Sequence, residues 1–580
     1  MDVQLNYVET VDEMDEFRRW LGQTRRVLGV DIETTGLSLG TDKIRMVQFG
    51  DTETGWAIPY EGRNSWRGLI KYVLDSYEGP VVGHNVKFDA GFLQRDGYTF
   101  PWERTHDTMA MAFLANNLGP RGLKLAAAVY IDPSLKNAGV QLEKSMKENK
   151  WTWATIPLDL PAYWGYSAAD TVLTAKLAEV LWPQVQYARG AYDTEIACAR
   201  EIASIEQRGV RVDVEYCESK RAELFTELEA VRKKIAPVIP SAPQSVIKAL
   251  AAEGVELKKR TPGGQLALDE EILKNLAEQG HELAHDVIRC RKLQKEITSF
   301  FDNFINYSRD GVVYPSVHQL QAVTGRMSMT SPALQTVPKN GRVRNCFIPD
   351  DESELLILCD FDNQELRVAA HLSKDPAMVD AFEHNRDLHM ETARKVFGDF
   401  EITDEGGVRK RNVGKRGMYA YAYGAGVPVF AKSVGLDPTV AADIYRALGE
   451  LYPGLRQGMA DTTREVRETA GSADYGWITL MDQRRLRVPT NRAYKGFNFK
   501  IQGNCAVALK ESMVDLAKAG LAQFMRILVH DEIVFSVPRN IVQDVVPIIE
   551  ECMTRREYLV PLTSHATVVE RWGEPYTVND

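Results

Sequence analysis

Three apolar runs in this chain are each interrupted or closed by acidic residues, and that pairing limits the folds open to it. VLGVDIE (27–33) carries Asp31 and Glu33 two apart, ELLILCDF (354–361) delivers Asp360 near its end, and ILVHDEIVFSVP (527–538) sets His530, Asp531 and Glu532 inside an apolar stretch. Period-two geometry sends Asp31 and Glu33 to one face of a strand. The third run predicts a hairpin with its polar residues at the turn. Burying Asp531 in such surroundings is costly without a partner, so a metal ion or a water-filled cleft is expected beside it.

A chain of 580 residues is too long for one hydrophobic core, so several folding units are expected. The first stretch alternates short apolar runs with helical segments and reads as a mixed α/β domain ending near residue 190. From about Ala191 to Asn306 the sequence is strongly helical, broken around Pro237–Pro243 and Thr261–Gly264. Strand-like runs return after Val312, separated by a helical block from about Pro376 to Ala470. One α/β platform interrupted by a helical insertion is the natural reading.

Composition narrows the function classes. With 44% hydrophobic and 26% charged residues and no low-complexity tract, the chain is of ordinary globular type. No run approaches a membrane span, and the first residues lack the basic start and apolar core of an export signal. Seven cysteines without a CxxC pair predict buried, reduced thiols in a cytoplasmic setting. A net charge of −10 argues mildly against nucleic acid, but Lys339–Arg344, Arg409–Arg416 and Arg484–Lys500 concentrate the basic residues.

Two hard divalent cations need several oxygen ligands, and a two-metal site can hydrolyse a phosphodiester. Asp31 and Glu33, Asp89 in GHNVKFDAGF and Asp170 in YSAADT supply such a set. Tyr166 lies four residues before Asp170, on the same helical face, where its hydroxyl can orient an attacking water. The order D-x-E, N-x-x-x-D and Y-x-x-x-D resembles the three motifs of the DEDDy 3′→5′ exonuclease superfamily over roughly residues 25–180. Asp107, in HDTM, is expected to be structural.

In RKRNVGKRGMYAYAYGAG, Arg411, Lys415, Tyr419 and Tyr423 recur every four residues and form one helical stripe. Arg411 and Lys415 suit a triphosphate, and the tyrosines suit a base and sugar. With TGRMSMTSPALQTVP, DFDNQELR, KIQGNCA and VHDE in order around it, this region is similar to family A DNA polymerases across about residues 310–580. The resemblance implies an RNase H-like exonuclease domain followed by a right-hand polymerase of palm, fingers and thumb, in an α/β multidomain chain. The implied divisions are 1–190 for the exonuclease, 191–310 for a helical thumb or connector, 311–375 with 481–580 for the palm, and 376–480 for the fingers.

Carried over residue by residue, the resemblance makes Asp360 and Asp531 ligands of two Mg²⁺ ions, which Mn²⁺ can replace, with Glu532 a supporting carboxylate. A second pair of ions belongs to Asp31, Glu33, Asp89 and Asp170. Lys415 is implied as general acid for pyrophosphate, with Arg411 and His389 as phosphate contacts. Arg326, Asn498, Gln502 and His530 match positions touching primer or template, and Glu365 matches the steric gate against ribose. Tyr419, where the family has Phe or Tyr, implies tolerance of dideoxynucleotides. The implied partners are primer-template DNA, dNTPs and other replisome proteins, in phage DNA replication within a host cytoplasm.

Two departures stand out. The family commonly reads DYSQIELR where this chain has DFDNQELR, so Phe361 and the extra acid Asp362 are unusual; Asp362 either adds a ligand or is solvated, and solvation is expected. The chain begins at the exonuclease, so no 5′-nuclease domain is expected. A competing reading is a nuclease whose C-terminal part only binds DNA; Asp360, Lys415 and Asp531 speak against it. Another, a polymerase with a relic nuclease, is opposed by the complete set Asp31, Glu33, Asp89, Tyr166 and Asp170.

Overall fold

The computed structural model describes residues 3–23, 26–62, 66–257, 259–260, 263–339, 341–402 and 405–573. The predicted break at Thr261–Gly264, the basic run from Lys339 and the acidic run from Glu401 lie partly outside them.

The N-terminal unit is built on a mixed six-stranded sheet. Its strands are β1 (Gln4–Tyr7), β2 (Leu28–Thr34), β3 (Ile44–Gly50), β4 (Thr54–Pro59), β5 (Val81–Gly83) and β6 (Thr105–Asp107), in spatial order β1-β4-β3-β2-β5-β6. The helices α1 (Lys87–Arg95), α2 (Leu123–Tyr130) and α3 (Pro161–Val185) surround it. Two glycines set how closely α3 lies on the sheet. A Cβ on Gly29 would stand 2.4 Å from the Thr171 carbonyl oxygen, and one on Gly55 2.3 Å from that of Ala168. The strand carrying Asp31 and the helix carrying Asp170 therefore meet backbone to backbone.

Helix α4 (Arg189–Arg208) follows and packs on both α1 and a later helix, α8 (Gly496–Lys518). The helices predicted next are present, among them Val214–Lys234, Pro243–Ala252 and Glu282–Glu296. The last continues through a π-turn at Ile297–Phe301 into Asp302–Tyr307.

The second sheet is wholly antiparallel, with order β10-β11-β7-β12. It comprises β7 (Glu354–Phe361), β10 (Met525–Val529), β11 (Glu532–Pro538) and β12 (Ser564–Val569). A separate hairpin of β8 (Tyr475–Thr479) and β9 (Arg485–Pro489) precedes β10. Between β7 and β8 lies a helical block that includes α5 (Gln364–Ser373), α6 (Leu388–Phe397) and α7 (Glu405–Ala422). The predicted platform with a helical insertion is thus the observed architecture.

Three apolar clusters matter for how the halves relate. One fills the N-terminal sheet and another the second sheet with its helices. A third contains Phe113, Leu177 and Tyr192 together with Leu320, Ile478, Leu486 and Val507, so it belongs to both halves. Polar bonds reinforce it. Asn117 donates to the Val323 carbonyl at 2.8 Å and accepts from the Arg487 amide at 2.7 Å. Beside them Glu195, on α4, bonds Arg484 at 2.7 Å and Lys510 at 2.8 Å with all three side chains sealed from solvent. Arg484 was expected as part of a basic surface run; burial against Glu195 and Asp482 makes it structural instead. The seven cysteines are free, and six are buried. Among the described residues no helix is long and apolar enough to cross a membrane.

Candidate active sites

In the N-terminal unit, β2, α1 and α3 bring all five predicted residues together. The Ile32 amide donates to Asp89 Oδ1 at 3.0 Å, so the strand's own backbone fixes that carboxylate beside Asp31 and Glu33. Ser167, one helical turn into the same region of α3, donates to Glu33 Oε1 at 2.9 Å. Burial raises Asp31 to about 7 even though Lys124 opposes the shift. Burial, then the neighbouring Asp31, raises Glu33 to about 8. Asp89 is raised well above the usual range by the same two causes.

Lys124, at the start of α2, is the residue sequence reasoning missed. Its ammonium pairs with Asp170 and lies 4.2 Å from the centre of the Tyr166 ring. Burial lowers Lys124 to about 8, despite Asp31 and Glu33. Tyr166 is raised by burial and by those same two acids, so its hydroxyl stays protonated. Asp107 has the structural role expected. It caps the helix Thr108–Ala115 and accepts from the amides of Asn85 and Val86 at 3.1 and 2.9 Å.

Among the described residues no three His, Cys, Asp or Glu side chains are drawn tightly enough to cage an ion as they stand. The donor chemistry nevertheless fits hard divalent cations. Four acids, all oxygen donors, share one ammonium, and the raised acids mark a site short of positive charge.

In the second sheet, β10 and β11 form the predicted hairpin, with His530 at its turn in the left-handed region, φ 54°. Asp360 on β7 is the register partner of Glu532 on β11, and the Phe361 amide donates to the Asp531 carbonyl at 3.3 Å. Three acids therefore gather at one end of the strands. Burial, then Asp531 and Glu532, push Asp360 up to about 6. Glu532 has its own partners: the Trp572 indole N–H at 2.7 Å and the Arg344 guanidinium at 3.5 Å. Asp362 is exposed and accepts from the Thr563 hydroxyl at 2.9 Å.

The stripe on α7 faces this turn's neighbourhood. Tyr423, just past the last helical residue, bonds back to the Tyr419 carbonyl at 3.0 Å. Its hydroxyl and Arg326 both bond the carboxylate of Glu365, in the first turn of α5. The rings of Tyr419 and Tyr423 are 6.1 Å apart, and His389 is 5.9 Å from Tyr419. Asp387 caps α6 and binds Arg411 Nε at 2.7 Å. His389 is lowered to about 4, chiefly by burial and then by Arg411 and Lys415. Lys415 is exposed and forms no ion pair among the described residues. A cleft of about 270 Å³ runs between Arg367, Arg386, His389 and Arg411. Asn498 and Gln502 lie one turn apart on α8, while Arg326 and His530 line one small cavity with Gln335 and Leu528.

The family model described as "DNA polymerase family A" matches residues 214–574, and that of a 3′-5′ exonuclease matches residues 5–186. The DNA polymerase of Mycobacterium phage L5 is 30% identical over 566 residues, covering 93% of this chain and 91% of that one. DNA polymerase I of Aquifex aeolicus is 29% identical over 590 residues, covering 94% and 95%. The polymerase domain of Pol1 from M. smegmatis, solved with DNA primer-template and dNTP, superposes with a TM-score of 0.79 at 21% identity. That match covers 98% of this chain and 99% of that one. The chain belongs to DNA polymerase family A, a DNA-directed DNA polymerase that also carries a 3′-5′ exonuclease domain.

Proposed function

We propose that the acid turn at Asp360 and Asp531 is where the chain extends a primer from dNTPs, and that the cluster of Asp31, Glu33, Asp89 and Asp170 removes mismatched 3′ ends. The observation that carries the first half is the register of Asp360 against Glu532, next to Asp531, facing a cationic stripe. Divalent-metal dependence goes with both matched families. The finer reading is two Mg²⁺ held by Asp360 and Asp531, and two by the nuclease acids, with Mn²⁺ able to replace them. When bound, these ions supply the positive charge that activates the attacking oxygen and stabilises the leaving one.

Lys415, Arg411 and His389 take the triphosphate. Lys415 suits the general acid because it is a cation with no competing carboxylate partner among the described residues. Release of Arg411 from Asp387 would deliver a second charge to the phosphates. Glu365, held by Arg326 and Tyr423, presents its side chain as the wall against a 2′-hydroxyl. Asn498, Gln502 and His530 meet the primer-template, where contacts must accept every sequence. In the nuclease, Tyr166 orients water by a hydroxyl that keeps its proton.

The division into an exonuclease (1–190), thumb or connector (191–310), palm (311–375 with 481–580) and fingers (376–480) belongs to the same reading. So do a role in phage replication beside other replisome proteins and action in the host cytoplasm.

The test is a labelled primer-template with a mismatched 3′ end, incubated with Mg²⁺ with and without dNTPs. Wild type should trim and then extend. Asp360→Asn should only trim, and Asp31→Ala should extend a matched primer without trimming. Trimming without extension of a matched primer by the wild type would replace this reading with a nuclease carrying a DNA-binding module.

A further inference from the structure

Glu532 stands where a third ion ligand would stand. As the register partner of Asp360 in an antiparallel pair, it projects from the same face of the sheet. Yet both its oxygens are engaged elsewhere. Oε1 accepts the Trp572 indole N–H at 2.7 Å, and Oε2 lies 3.5 Å from Arg344 Nη1. The two partners also hold each other, because the Arg344 guanidinium sits 4.4 Å above the Trp572 ring. Phe347 fixes the indole in turn, edge-on at 5.4 Å and through its carbonyl, which accepts the Trp572 amide at 3.1 Å.

Burial alone does not bring an indole such a partner. The buried N–H groups of Trp56, Trp66 and Trp102 have none among the described residues. Trp572 is 1% exposed, and its N–H, a donor only, is spent on a carboxylate at the acid turn.

Resting on the assignment of Asp360 and Asp531 as ion ligands, we propose that Trp572 and Arg344 are positioning residues of the polymerase site. They clamp Glu532 as a fixed negative charge behind the turn, so that it orients the hairpin and is withheld from the ions. Neither residue touches substrate; each acts through Glu532.

The test reads Mn²⁺ binding directly, from the electron-paramagnetic signal of the free ion, on the full chain with Asp31→Ala and Asp89→Ala silencing the nuclease site. Asp360→Asn should weaken binding by roughly tenfold or more, while Glu532→Gln should change it less than about twofold. Trp572→Phe keeps the ring and deletes the donor. It should tighten binding by several fold, since a freed carboxylate adds ligand charge, and the gain should vanish in Trp572→Phe with Glu532→Gln. Should Trp572→Phe fail to fold, Arg344→Met frees the other oxygen and carries the same expectation. Glu532→Gln weakening binding as much as Asp360→Asn, or release of the clamp leaving affinity unmoved, overturns the proposal. An unmoved Asp360→Asn overturns the ion-site assignment itself, and the clamp with it.

Discussion

The ammonium of Lys124 lies against the carboxylate of Asp170 inside the exonuclease acid cluster. The same ammonium covers the face of Tyr166, so one side chain orders two of the five predicted nuclease residues. Lys124→Met should lower degradation of single-stranded DNA by roughly 10- to 100-fold, the scale on which outer partners of ion ligands act. Extension of a matched primer, measured on the same preparation, should not change.

The nuclease acids also make a pH prediction. Folded, Asp31 and Glu33 hold their protons to about 7 and about 8. Unfolded, such groups release them near pH ~4. The folded chain therefore binds more protons in between, and its stability, complete below pH ~4, falls as pH rises through 7 and 8. Thermal melts of chelated protein should show a lower midpoint at high pH than at low pH. Asp31→Asn with Glu33→Gln should flatten that dependence, and added Mg²⁺ should raise the midpoint most on the alkaline side.

Glu365 is gripped at both oxygens, by Arg326 and Tyr423. Glu365→Ala should raise incorporation of ribonucleotides relative to deoxynucleotides by roughly 100-fold, since a wall against a hydroxyl is removed. Single-nucleotide incorporation kinetics measure this. Tyr423→Phe, which frees one oxygen but keeps the wall, should give a smaller change. Wild type should accept dideoxynucleotides readily through Tyr419, and Tyr419→Phe should reject them.

A stability effect is expected far from either site. In Glu195, burial favours the neutral acid, but Lys510 and Arg484 outweigh it and keep the carboxylate charged. Glu195→Ala would leave two cations sealed and unpaired, at a cost of about 3–5 kcal/mol. Denaturant titration should show the loss, and Glu195→Gln should lose less.

The catalytic acids were legible because strand period and motif order are local properties. Asp31 with Glu33, and Asp531 with Glu532, announce themselves within a few residues, and the hairpin at His530 follows from its polar turn. Lys124, Arg344 and Trp572 carried no such signal. Each gains its meaning from a partner far along the chain: Trp572 from Glu532, forty residues earlier, and Lys124 from a helix that starts at Pro161. Arg484 was misleading for the same reason. A run of basic residues reads as surface until its partner Glu195, 289 positions away, is seen to bury it. Domain-scale layout was clear from alternating patterns, whereas α4 could not be allotted to one side, since it packs on both.

The cluster shared by Phe113, Tyr192, Ile478 and Val507, stitched by Asn117 and Glu195, has a consequence for traffic between the two centres. The two workshops share a wall and cannot approach one another. A misinserted nucleotide must therefore do the commuting: the primer end has to unzip from its template and cross open space as a single strand. Time spent unpaired becomes the quantity that decides whether an error is cut, and any sequence that frays easily will be edited more, mistaken or not.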